Sequence, residues 1–115
     1  VRSLLVAQMR DLGSGRECPS LEEAWSILGQ DPPSVLAVDW ALGPSAVRDF
    51  CLRLKVRPEL AGIPVLLVHA PSDLPVIEAH PPAVDDFLDL PLQAADAQHR
   101  VALLLRLARA RRTGA

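Results

Sequence analysis

The sequence predicts an α/β domain built on a central parallel sheet, and three observations carry that prediction. The runs "VLAV" at Val35–Val38 and "IPVLLVHA" at Ile63–Ala70 are apolar on both faces, as strands covered by helices on either side are. Segments with apolar residues at helical spacing alternate with those runs. The chain of 115 residues is 50% apolar, enough for one domain with a packed core and too short for two.

The elements follow in order. Val1, Leu5, Met9 and Leu12 stand at helical spacing, and Gly13 occupies the place of a C-terminal cap. That predicts a first helix. The competing reading is a short strand at Leu4–Ala7, because "LLVA" is a continuous apolar run. Arg16–Cys18 reads as a brief strand. Ser20 with Glu23 forms a capping-box pattern ahead of Ala24, Ile27 and Leu28, and Gly29 is expected to stop that helix. Asp31, Pro32 and Pro33 turn the chain into the strand Val35–Val38. A helix from Ser45 to Lys55 is expected to bury Val47, Phe50, Cys51 and Leu54. Pro58–Gly62 forms a loop ahead of the strand Ile63–Ala70. Beyond it, Pro71, Pro75, Pro81 and Pro82 limit any helix to about two turns. Asp85–Leu88 reads as a short strand and Pro91 as a turn. The last helix, Leu92 to Arg112, carries Leu92, Ala95, Val101, Leu104, Leu105 and Ala108 along one stripe.

The composition narrows the function classes. A formal net charge of −2 predicts no general affinity for nucleic acid. No apolar run approaches the ~18 residues of a membrane span, and nothing at the start reads as a secretory signal. Cys18 and Cys51 lack a metal-ligand spacing and read as small buried hydrophobes of a reduced, cytoplasmic protein. Arg106, Arg109, Arg111 and Arg112 complement the dipole of the last helix, and a basic end also suits a linker to another domain.

In an open parallel sheet the functional crevice lies at the carboxyl ends of the strands. Asp39, His69 and the Asp89–Leu90 pair all fall there. The candidate site is therefore this edge. Trp40, next to the acid, reads either as a partly exposed aromatic at its rim or as a ring folded over a neighbouring loop. His80 and His99 read as surface residues, and Asp85 and Asp86 as caps or solubilising groups on a strand edge.

Taken together, "VLAVDWALGP", "RDFCLRLKVRPELAGIPVLLVHA", "DDFLDLP" and the terminal "RVALLLRLARARR" resemble the receiver domain of two-component response regulators. The resemblance spans essentially the whole chain. It implies a three-layer α/β/α flavodoxin-like fold with a parallel sheet of about five strands. The receiver-like domain is expected over 1–112, with 113–115 as a C-terminal tail. In the family the aspartate ending the third strand accepts a phosphoryl group, and Asp39 stands at that place. His69, thirty positions on, takes the place of the family's switch Ser or Thr, and Leu90, before Pro91, that of its lysine. The front end departs further. On one alignment the first strand and its acidic pair lie upstream of Val1. On the other, "LLVA" is that strand, altered, and Ala7 and Gln8 replace the pair, leaving Gln8 as a neutral oxygen donor at the pocket rim.

The resemblance implies a Mg²⁺-dependent phosphoryl transfer, and the residues argue against it. Mg²⁺ prefers several oxygen ligands, so Asp39 nearly alone predicts poor affinity. Leu90 gives a phosphate no charge, and an imidazole at 69 differs in size and geometry from a hydroxyl. The expectation is a degenerate receiver, or pseudo-receiver. It would be a non-enzymatic signalling module without a cofactor, acting through a protein partner, an output domain or a homodimer, with neither nucleic acid nor membrane as a direct partner. The alternatives are a functional receiver phosphorylated on Asp39 with Mg²⁺, a pH-sensing Asp39–His69 pair, and a small enzyme using Asp39, His69 and a nucleophile such as Ser72.

Overall fold

The computed structural model describes residue 18 and residues 20–30, 32–91 and 93–113. Along the chain these form α1 (Leu21–Gln30), β1 (Leu36–Asp39), α2 (Pro44–Lys55), β2 (Val65–His69), α3 (Leu74–Ala79), β3 (Asp86–Asp89) and α4 (Ala94–Thr113). Short 3₁₀ turns follow β1 at Trp40–Leu42 and β2 at Pro71–Asp73. The described strands form one parallel sheet in the order β1-β2-β3, with Asp39 opposite Val68 and His69 opposite Asp89. The helix or strand expected within 1–12 and Gln8 lie outside the described residues, as does the expected strand at Arg16–Cys18 except for Cys18, which is buried.

Strand alternation divides the core into two. Leu36, Val38, Val65 and Leu67 point to one face, where Ala24 and Leu28 of α1, Val47, Phe50, Cys51 and Leu54 of α2 and Ile77 of α3 cover them. Val35, Ala37, Leu66, Val68 and Leu88 point to the other and pack with Ala97 and Leu104 of α4 and its partly buried Val101 and Leu105. Each fully buried leucine contributes about 1.5–3 kcal/mol from leaving water. Burial pushes the Cys51 thiol up to about 11, against a smaller lowering by Lys55, so it packs as an inert apolar group.

Local chemistry sets the ends. The Glu23 N–H donates to Ser20 Oγ at 3.2 Å, opening α1 as expected. Gly29 does not stop α1: it sits at an open helical position, and the helix runs on to Gln30. Gly43, at φ +122°, is the positive-φ residue that turns the chain from the 3₁₀ turn into α2, with Pro44 at the first helical position. Prolines hold α3 to six residues. In α4 the buried stripe uses Ala97 rather than Ala95, which is exposed.

The amino end of the sheet is tied by charge. Asp85 Oδ2 accepts from the Val65 N–H at 2.8 Å, Arg111 Nη2 donates to Asp85 Oδ1 at 2.6 Å, and Lys55 Nζ stands 3.9 Å away. Burial alone would raise the Asp85 carboxyl, but the Arg111 and Val65 hydrogen bonds and the Lys55 charge together hold it below its ordinary value of 3.8. Arg100 bridges Asp86, at 2.9 and 3.1 Å, to Asp96 at 3.2 Å. Asp85 thus caps the start of β2, as a strand-edge cap was expected to, and both acids also anchor α4, the first through Arg111 and the second through Arg100.

Candidate functional site

The carboxyl ends of β1, β2 and β3 place Asp39, His69 and Asp89 along one edge of the sheet. Asp39 is half-buried. Its Oδ1 accepts the Ala41 N–H at 2.9 Å, capping the 3₁₀ turn Trp40–Leu42 from an extended backbone at φ −87° and ψ 123°. A short-range cap of this kind needs only an Asp two residues ahead of the amide, which explains an acid directly after a buried strand.

His69 is 1% exposed and points, like Leu67, to the α1–α3 face. Its ring stands edge-on to Phe87, with centroids 6.0 Å apart. Nδ1 and the Ala70 carbonyl are 2.9 Å apart, and because a carbonyl only accepts, Nδ1 carries the proton. Nε2 lies 3.1 Å from Asp89 Oδ1 but makes no hydrogen bond, so the contact is one of proximity rather than alignment. The carboxylate that meets the imidazole is thus Asp89, brought there by the β2–β3 register, and not Asp39. The proposed Asp39–His69 pair is replaced by this one.

Leu90 donates its N–H to the His69 carbonyl at 2.8 Å, and its side chain packs on the α4 side of the core. The Leu90–Pro91 peptide is cis. Trp40 does not sit exposed at the rim: it is 3% exposed and belongs to the core. The Arg48 guanidinium lies over its ring, 5.0 Å from the centroid, and donates to the carbonyls of Val76 at 3.1 Å and His80 at 2.8 Å. Ser72 is exposed and has no hydrogen-bond partner among the described residues, while both His69 nitrogens face other groups. No nucleophile–base pair forms there.

A divalent cation of the kind receivers use fits this edge poorly among the described residues. Asp39 offers one carboxylate with an oxygen already engaged, and no three His, Cys, Asp or Glu side chains converge as a ligand set. Nor do Asp39, Asp73 and Asp89 have a lysine or arginine partner among the described residues. Arg48, over Trp40, donates instead to the Val76 and His80 carbonyls.

No protein-family model matches the chain, and no curated protein matches it. Solved structures do. The receiver domain of a signal transduction histidine kinase from Syntrophus aciditrophicus superposes with a TM-score of 0.72 at 22% identity, covering 91% of this chain and 89% of that one. A response regulator receiver modulated diguanylate cyclase from Pelobacter carbinolicus gives 0.72 at 19%, covering 94% of each. NtrX from Brucella abortus gives 0.73 at 15%, covering 97% of this chain and 27% of that longer one. At these identities the likeness establishes the fold: a flavodoxin-like receiver fold, of whose parallel sheet the described residues form three strands.

Proposed function

We propose that the chain is a pseudo-receiver: a receiver-fold signalling module that acts through protein contacts and not through Mg²⁺-dependent phosphorylation of Asp39. One observation carries the reading. The carboxyl edge holds its aspartate as the cap of a local turn, together with a buried imidazole whose Nδ1 faces the Ala70 carbonyl and whose Nε2 abuts Asp89 without a hydrogen bond, and a leucine packed into the core. A phosphoryl group on Asp39 would add negative charge to an edge of unpaired carboxylates, with Leu90 where the family's lysine would offer a cation. Phosphoryl transfer relies on that kind of charge neutralisation and positioning. Receiver folds joined to further domains, as in the diguanylate cyclase and NtrX, support a partner or output domain as the target.

The test is direct. The protein is incubated with a small-molecule phosphodonor and Mg²⁺, and its intact mass is measured alongside a functional receiver as control. The proposal expects an unchanged mass while the control gains its phosphoryl group. A mass adduct that disappears in Asp39→Asn would overturn it and favour a working receiver.

A further inference from the structure

At the amino end of the sheet, opposite Asp39, two hollows of about 370 and 380 Å³ adjoin and share Pro32 and Glu59 as walls. One opens between the turn into β1, the loop before β2 and the end of α4, and the other between the ends of α1 and α2. Pro33, Pro58, Trp25 and Leu28 give the combined groove apolar walls.

Its charge is unlike that of the rest of the chain. Four arginines line it, and Glu59 is the one acid among the described lining residues. Asp85 already meets Arg111. Arg53, Arg57 and Arg112 pair with no carboxylate among the described residues. The Arg53 and Arg57 guanidiniums lie over the Trp25 ring, 4.7 and 5.3 Å from its centroid, which holds two cations beside an indole. Leu52 of α2 and its C-cap Val56 are 59% and 77% exposed, adding apolar surface near the arginines in sequence.

We propose that this groove is a docking site for an acidic peptide segment of a partner protein. Its carboxylates would be taken by Arg53, Arg57 and Arg112, and an apolar side chain by Trp25 and the prolines. Guanidinium forks match carboxylates in two parallel hydrogen bonds, and the prolines and tryptophan supply contact area at low entropic cost. A nucleic-acid strand is the poorer occupant, because the arginines share the groove with Glu59 and apolar walls and do not form the continuous basic track that a phosphate backbone needs. The site lies at the opposite end of the sheet from Asp39 and does not depend on whether that residue is phosphorylated.

The experiment is an NMR titration of the ¹⁵N-labelled full chain with a short amidated peptide of alternating glutamate and leucine. A lysine–leucine peptide and an oligothymidylate serve as comparison probes. The expected result is shifts centred on the Trp25 indole N–H and on residues 53 and 57, from the glutamate peptide. The combined Arg53→Glu and Arg57→Glu variant should weaken binding at least ~10-fold, and raising salt from about 0.1 to about 0.5 M should weaken it several-fold. Circular dichroism checks the fold, and an Arg53→Gln, Arg57→Gln variant, neutral and less intrusive, should weaken binding by an intermediate factor. Absent shifts, shifts centred elsewhere, equal binding of the lysine peptide or unchanged affinity in both variants would overturn the proposal. Tighter binding of oligothymidylate at the same residues would overturn the peptide assignment.

Discussion

At the amino end of the sheet Asp85 and Asp86 each face a guanidinium; at the carboxyl end Asp39, Asp73 and Asp89 face none among the described residues. The first arrangement ties an element in place. Asp85 joins the start of β2, the end of α2 and the end of α4 in one cluster, and its backbone N–H also donates to the Val65 carbonyl at 2.8 Å. In the second, two carboxylates are satisfied locally, Asp39 by the Ala41 N–H and Asp73 by the Ala70 N–H at 3.0 Å, while Asp89 is exposed and stands 3.1 Å from His69 Nε2. The contrast teaches that position at a strand's carboxyl end is not enough for chemistry. A reactive carboxylate needs partners aimed at a common point, and here the converging partners stand at the other end.

The largest test of this contrast is Asp85→Ala. It leaves the Val65 N–H and the Arg111 guanidinium without their acceptor, and should cost about 2–3 kcal/mol of unfolding free energy in urea. A loss below that of any Asp39 substitution would erase the contrast.

Acidification probes the same clamp with the wild-type chain. The folded-state value of Asp85 is lowered, so its contribution is present above the ordinary value of 3.8 and lost as pH falls through the lower folded value. The stability gap between wild type and Asp85→Asn should therefore be full at neutral pH and shrink below 3.8. A gap that persists unchanged in acid would place the effect of the substitution elsewhere.

Arg100→Gln removes a bridge at about one-third exposure, and we expect about 0.5–1 kcal/mol, diminished by salt. The smallest effect belongs to Asp39→Asn. The amide oxygen can still accept from Ala41, so the change should stay under about 0.5 kcal/mol. A loss above about 2 kcal/mol would show that the carboxylate's charge itself supports the fold.

What was legible in the sequence follows from how local each signal is. The two-faced apolar runs, the proline punctuation after β2 and the Val47–Leu54 stripe announce themselves within a few residues, and each has its counterpart in the fold. Asp39, His69 and Asp89 could be assigned to one edge because strand ends of a parallel sheet share that edge. Partnerships across the chain left no such trace. His69 meets Asp89 only through the β2–β3 register, and Arg111 reaches Asp85 from 26 residues away. Trp40 looked exposed beside a polar residue, yet the return of α2 brings Arg48 over its ring and buries it. Ala97 and Ala95 differ by two positions, and only the packing of α4 on Val68 and Leu88 chooses between them.

Arg48 carries one further consequence. Its guanidinium takes the carbonyls of Val76 in α3 and of His80 just after it while standing over the Trp40 indole. It acts as a strut between α2 and the segment that follows β2. Any swing of the post-β2 segment must first snap two hydrogen bonds and slide a cation off an aromatic face. Mechanically, this end of the molecule is braced, so it presents a fixed shape to whatever meets it.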